Sequence, residues 1–153
     1  MKRAAAFMPV LLLASSAFAA DSSPLTPGFW AFPSSKEIVG DALADSCSTG
    51  FSIYFEDGAW MSFIAETTGD KPTLINDGEG TCEFDAAKNA DICTDHALAN
   101  GTWTEGKSET KYTTEADGRL RADYAGGGNS VTTYPLPCAA PGIQEALRFL
   151  APK

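Results

Sequence analysis

The sequence predicts an all-β fold, a single antiparallel meander of about eight short strands that is closed as a barrel or folded as a sandwich. Runs in which apolar and polar residues alternate recur along the chain, as they do in half-buried strands. Turn residues such as Asp-Gly separate these runs at intervals of roughly ten residues. The segments between the runs are too short for the crossover helices of a parallel sheet. We also expect one short helix near the N-terminus and one at the C-terminus.

Residues 1–19 have the features of a secretory signal peptide. Lys2 and Arg3 give a positive start, residues 4–13 are an apolar run, and Ala17-Phe18-Ala19 is an A-x-A cleavage site. The apolar run is too short to span a bilayer, which needs about 20 residues. We therefore expect residues 20–153 to form one domain without a membrane span, in the periplasm of a bacterium or secreted from it.

The charge of the chain argues against nucleic acid as a partner. The sequence has 20 acidic residues against 11 lysines and arginines, with a net charge of −9. Phosphate binding requires a basic surface, so we expect no nucleic-acid contact. The acidic residues are spread along the chain, which is typical of a solvated surface.

The first elements are a strand and a brief helix. Gly28–Phe32 predicts a strand that Pro33 ends. Ser34 or Ser35 can cap a helix. Its apolar face would contain Ile38, Val39, Ala42 and Leu43.

A first hairpin is predicted from Phe51–Phe55 and Ala59–Phe63, which alternate on either side of Glu56-Asp57-Gly58. A three-residue loop with Gly58 in the left-handed conformation pairs Phe55 with Ala59 and Phe51 with Phe63. In this register the large apolar residues share one face, which we expect to face inward. They are Phe51, Ile53, Phe55, Met61 and Phe63.

The other face of this hairpin would carry Tyr54, Trp60 and Ile64. These three residues form either a surface covered by one of the helices or an exposed patch for a protein partner. They are the candidate partner-binding residues.

A second hairpin is predicted within Glu109–Tyr124, around the turn Ala116-Asp117-Gly118. The same type of turn places Glu115 opposite Arg119 and Lys111 opposite Asp123, as two opposite-charge pairs on the outer face. Weaker patterns predict four more strands, and the tail predicts a helix. The strands are Thr81–Asp85, Ala90–Thr94, Gly101–Glu105 and Ser130–Tyr134, and the helix is Pro141–Ala151.

The four cysteines predict two disulfides, because an exported domain matures in an oxidising compartment. Of the three possible connectivities we predict Cys82 with Cys93 and Cys47 with Cys138. Locality favours the first pair, because an antiparallel hairpin would bring those two residues face to face. The second pair would then join the two ends of the domain.

Gly28-Phe29-Trp30 resembles the G-x-W motif that opens the first strand of calycin-like proteins, namely lipocalins, avidins and small bacterial metalloprotease inhibitors. The resemblance implies a barrel in which Trp30 closes the floor and Gly28 lets the chain turn beneath it. It covers three residues, and Gly101-Thr102-Trp103 repeats the pattern. It also implies a small apolar ligand inside the barrel.

The sequence offers little for catalysis or metal binding, so we expect no enzyme, no cofactor and no metal. His96 is the only histidine, and we expect no cysteine to be free. Zinc would therefore find too few soft ligands. The acidic segment Asp77–Asp95 could supply oxygen ligands for calcium, but it lacks the EF-hand spacing.

Two functions remain. We favour a non-enzymatic interaction module or accessory subunit that engages another envelope or secreted protein. The alternative is a calycin-like binder of a small apolar ligand. A closed interior void above roughly 300 Å³ would favour the ligand, whereas a packed interior with an exposed patch at Tyr54 and Trp60 would favour the partner.

Overall fold

The computed structural model describes residues 22–68 and 71–138. The predicted signal peptide and the predicted C-terminal helix, Pro141–Ala151, lie outside the described residues.

The described residues form nine strands and one helix, and the all-β prediction is confirmed. In chain order the elements are β1 Gly28–Ala31, α1 Asp41–Thr49, β2 Gly50–Tyr54, β3 Ala59–Thr68, β4 Lys71–Asp85, β5 Ala90–Ala99, β6 Thr102–Thr114, β7 Leu120–Gly126, β8 Asn129–Thr133 and β9 Leu136–Pro137. No helix in this part of the chain is long and apolar enough to cross a membrane.

All nine strands belong to one antiparallel sheet that curls into a half-barrel. Its order is β8-β7-β6-β5-β4-β3-β2-β1-β9, so each strand pairs with the next and β9 returns to β1. Only Tyr134 and Pro135 connect the two edge strands β8 and β9, a link that spans about 10 Å. The edges of a flat sheet of this order would be about 38 Å apart, so the sheet must curl.

The first predicted hairpin is confirmed in its register. Phe51 pairs with Phe63 and Ile53 with Met61. The amide of Phe55 donates to the carbonyl of Ala59 at 2.9 Å. Phe55 itself is 40% exposed, so it does not join the apolar cluster.

The register of the second hairpin is also confirmed, but the expected charge pairs do not form. Lys111 lies opposite Asp123, yet its Nζ lies 3.1 Å from an oxygen of Glu109 on the same strand. Asp123 instead pairs with Arg121 at 2.8 Å and accepts a hydrogen bond from Thr132. Neighbours two residues apart on one strand face are about 6.7 Å apart, which is within reach of long charged side chains, and here they form the ion pairs.

The helix begins later than predicted. It covers Asp41–Thr49, whereas we expected a start at Ser34 or Ser35. Gly40 has a φ of 58°, which no α-helical residue adopts, so it separates Ile38 and Val39 from the helix. Val39 is consequently half exposed.

Apolar clusters cover both faces of the sheet. One contains Phe51, Ile53 and Phe63. The other contains Tyr112 and Ala122 together with side chains from β1, β2 and β4. Strands so far apart in the sheet order can meet only on the concave side. The expectation that Phe51, Ile53 and Phe63 face inward is therefore wrong, because they lie on the convex side.

Both predicted disulfides are present. Cys82 and Cys93 are direct cross-strand neighbours on β4 and β5, with Cα atoms 4.1 Å apart. Cys47 of α1 is bonded to Cys138, just after β9, with Cα atoms 5.8 Å apart. The first bridge fixes the centre of the sheet, and the second fixes the helix to the β1–β9 edge.

A pocket on the concave face

The concave side of the half-barrel contains an open pocket of about 200 Å³. It is smaller and less enclosed than the closed void of roughly 300 Å³ that would favour a calycin-like binder of an apolar ligand, so the described residues do not meet that criterion. The pocket is lined by Phe32, Ser52, Tyr54, Trp60, Cys93, Asp95, Ala97, Ser108 and Tyr124. These residues come from β2, β3, β5, β6 and β7 and from the loop after β1. On β2 and β5, which each contribute more than one lining residue, these residues are two apart, because every second side chain points to the same face. We call this the concave pocket.

Two glycines of β4 create the space for the indole ring of Trp60. A Cβ atom at Gly78 would lie 3.1 Å from one carbon of the indole. A Cβ atom at Gly80 would lie 2.8 Å from the Nε1 atom of Trp60. The ring therefore extends from β3 across β4 toward β5, where Asp95 pairs with Gly80. Glycine in a strand interior often marks such a close approach.

Two polar atoms of the pocket are buried without a hydrogen-bond partner among the residues that the structure describes. They are Nε1 of Trp60 and Oδ1 of Asp95. By contrast, Nε1 of Trp30 donates to the carbonyl oxygen of Thr26 at 2.8 Å. An unpaired buried donor or acceptor costs about 1–3 kcal/mol, so two in one pocket call for an explanation.

Asp91 lies on the same face of β5, roughly 13 Å from Asp95 along the strand, and its environment is different. Its Oδ2 atom accepts hydrogen bonds from the hydroxyl of Tyr112 at 2.6 Å and from the hydroxyl of Ser23 at 2.8 Å. Asp91 is only 3% exposed. This carboxylate is satisfied by the chain itself, whereas Asp95 is not.

Burial raises the pKa of both tyrosines near these carboxylates. For Tyr112 burial is the largest cause, followed by the negative charge of Asp91. For Tyr54 burial is again the largest cause, followed by the charges of Asp91 and Asp95. Both hydroxyls therefore remain protonated at neutral pH, and that of Tyr112 donates to Asp91.

The segment that precedes β1 fills the Asp91 end of the concave face. Leu25 is 5% exposed and packs against Tyr112 and Ala122. Ser23, two residues earlier, binds Asp91. The pocket at Asp95 thus lies beside a part of the interior that the chain has already filled.

The three candidate partner-binding residues do not form one exposed patch. Tyr54 and Trp60 are cross-strand partners and both line the concave pocket, where they are half-buried. Ile64 lies opposite Gly50 and is 38% exposed. It lines a neighbouring open pocket of about 280 Å³, which shares Phe32 and Ser52 with the concave pocket.

The structure also shows lining residues that sequence reasoning missed, Ser52, Asp95, Ser108 and Tyr124. The spacing of Gly78 and Gly80 within a strand was the available signal, because it indicates that another group approaches the backbone there.

His96 does not line this pocket, whereas the acidic segment Asp77–Asp95 reaches it at Cys93 and Asp95. The side chain of His96 is 44% exposed, and its Nε2 atom is 3.4 Å from a carboxylate oxygen of Glu105. His96 lines an open depression of about 330 Å³ that includes Phe55. Asp77 accepts a hydrogen bond from Ser62 at 2.6 Å. In the described ranges, no three His, Cys, Asp or Glu side chains are grouped closely enough to hold a metal ion.

Comparison with known proteins gives no match among protein-family models, curated proteins or solved structures. Function is therefore inferred from the residues of this chain alone.

Proposed function

We propose that this protein is a non-enzymatic binding protein of the periplasm or the extracellular space, and that it takes a small ligand into the concave pocket. The observation that carries the proposal is the pair of unpartnered buried atoms, Nε1 of Trp60 and Oδ1 of Asp95, in one pocket. A ligand that hydrogen-bonds to both would remove the penalty that each atom imposes.

The walls of the pocket support this function. Aromatic side chains supply apolar contact area, and Ser52 and Ser108 supply hydroxyl groups. Few polar groups among apolar walls are typical of a small-molecule site. Cys93 belongs to the lining, and its disulfide to Cys82 holds β4 and β5 together behind the pocket. A rigid wall lowers the entropy lost on binding.

The location is supported by the signal-peptide pattern of residues 1–19 and by the two disulfides. Disulfides form and persist in oxidising compartments and are rare in the cytosol.

The proposed ligand is not purely apolar, because a purely apolar ligand would leave both buried polar atoms unpaired. The proposal also differs from the interaction module that we favoured on sequence alone, because Tyr54 and Trp60 are half-buried in the lining of a pocket and do not form an exposed patch. A protein partner remains the second candidate. It is favoured by the edge strand β8, where Val131 is 48% exposed and another strand could pair.

The test is a fragment screen of the exported, oxidised protein by ¹H–¹⁵N NMR. The chain has three tryptophans, and each gives one indole N–H resonance. Ligands in the concave pocket should shift the Trp60 resonance. They should leave that of Trp30 in place, because the indole N–H of Trp30 is hydrogen-bonded to the carbonyl oxygen of Thr26. A screen in which small polar fragments never move the Trp60 resonance would contradict the proposal. Resonance changes that are confined to β8 and appear when a protein partner is added would favour the second candidate.

A further inference from the structure

We propose that the ligand of the concave pocket is a small ammonium compound that also carries an oxygen acceptor, as an amino alcohol does. This inference rests on the proposed function. It follows from the charge of the pocket, from the two unpartnered atoms and from the volume.

The pocket has a negative charge that the lining residues do not balance. Asp95 is its carboxylate. Among the described residues that line the pocket there is no lysine, arginine or histidine, and none of the ion pairs between described residues includes Asp95. A cationic ligand would supply the compensating charge. The net charge of −9 for the whole chain also attracts cations.

Aromatic rings line the same pocket as this carboxylate. Tyr54, Trp60 and Tyr124 all belong to the lining. The face of an aromatic ring is negative and attracts an ammonium group. A carboxylate among aromatic rings is thus suited to a cation and unsuited to an anion.

The two unpartnered atoms differ in what they need. Oδ1 of Asp95 needs a donor, which an ammonium N–H provides, whereas a fully methylated ammonium has none. Nε1 of Trp60 is a donor and needs an acceptor. The ligand therefore carries both an ammonium group and an oxygen.

The pocket of about 200 Å³ sets the size of the ligand. That volume equals roughly six or seven water molecules in the liquid, so the ligand has on the order of six to ten non-hydrogen atoms.

The experiment compares compounds of one size by NMR titration of the Trp60 indole resonance. The probes are a terminal aminobutanol, the corresponding butanediol, hydroxybutyrate, and an alkylamine of the same length without the oxygen. We expect aminobutanol to bind roughly tenfold more tightly than butanediol and than the alkylamine, and hydroxybutyrate to bind weakest.

Two variants test which atom of the pocket causes each preference. Asp95→Asn keeps the shape but removes the charge, so it should lower the affinity for aminobutanol roughly tenfold and leave butanediol unchanged. Trp60→Phe removes the donor, so aminobutanol should lose its advantage over the alkylamine; here binding is followed by the amide resonances of β5. Glu83→Gln is the control, because it removes the same charge from an exposed position of β4 outside the pocket.

The outcomes separate this inference from the proposed function. Equal binding of aminobutanol and butanediol by the unmodified protein overturns the inference and leaves a small-ligand pocket in place. Unchanged aminobutanol affinity in Asp95→Asn also overturns it. If no probe shifts the Trp60 resonance, this inference fails, and the fragment screen decides separately whether the proposed function stands.

Discussion

The indole nitrogen of Trp60 lies directly over Gly80, so that a Cβ atom at Gly80 would be 2.8 Å from it. This contact couples a backbone position of β4 to the wall of the concave pocket. It makes the shape of the pocket depend on a residue that has no side chain.

We predict that Gly80→Ala moves Trp60 and destabilises the protein. The added methyl group would meet the indole and the carbonyl oxygen of Thr94, and overpacking of this kind costs about 1–3 kcal/mol. Urea unfolding measures the free energy, and the Trp60 indole resonance reports the displacement.

Gly106→Ala is the matched control for this substitution. Gly106 flanks Asp95 on the opposite side, on β6, and a Cβ atom there would meet nothing within 4 Å. The free energy of unfolding should change by no more than about 0.5 kcal/mol in Gly106→Ala. Equal effects at the two glycines would show that the Trp60 contact is unimportant.

The two hairpin glycines should differ in their sensitivity. Gly58 and Gly118 have φ values of 82° and 85°, so alanine is strained at both by about 1 kcal/mol. At Gly58 the added Cβ would also lie 2.5 Å from the carbonyl oxygen of Cys82, whereas at Gly118 it meets nothing within 4 Å. Gly58→Ala should therefore lower the free energy of unfolding more than Gly118→Ala. The reverse order in urea unfolding would contradict this structure of the first turn.

The two disulfides should contribute unequally. The loops they close have sequence separations of 91 for Cys47–Cys138 and 11 for Cys82–Cys93. In the chain-entropy model the longer loop stabilises by about 4.5 kcal/mol and the shorter by about 3 kcal/mol. Replacing each pair by serine and measuring thermal unfolding tests this order, and a larger loss from the shorter loop would contradict it.

Stability should decline in alkali because of the buried tyrosines. The pKa values of Tyr54 and Tyr112 are raised above the ordinary 10.0 in the folded protein. Their contribution is complete below pH 10 and is lost as the pH rises further, because the unfolded chain then releases protons that the folded protein retains.

Ultraviolet titration of tyrosinate tests this pH dependence. Ionisation of Tyr54 and Tyr112 should coincide with unfolding seen by circular dichroism. Tyr112→Phe should weaken the alkaline dependence. It should also cost about 1–3 kcal/mol at neutral pH, because Asp91 loses a hydrogen bond. Ionisation of both tyrosines in the folded protein would contradict their burial.

The sequence specified the hairpins well because their signals are local. Asp-Gly turns at Gly58 and Gly118 set the register, and alternation on either side of each turn agrees with it. The long strands β4 and β6 were predicted only in part. Pro72, Gly78 and Gly80 interrupt the pattern of β4. Pairing with β3 and β5 overrides the low propensity of the two glycines, whereas Pro72 is paired only with β3.

The concave pocket could not be predicted because alternation divides residues between two faces without showing which face is concave. Both faces carry large apolar side chains here, Phe51 and Phe63 on one and Tyr54 and Trp60 on the other. Curvature depends on how the whole sheet closes, in particular on the short link through Tyr134 and Pro135. A local pattern does not contain that information.

The strand order has a consequence for how the chain can assemble. From β1 to β8 every strand pairs with the strand that precedes it, so a chain delivered from its N-terminus can add each strand to a finished edge. Pairing between near neighbours in sequence also lowers the loop-closure entropy of each step. Cys82 can find Cys93 as soon as β5 has arrived. The β1–β9 pairing and the Cys47–Cys138 bridge must wait for the last described residues. The half-barrel can thus form in chain order, and its β1–β9 edge is paired and cross-linked last.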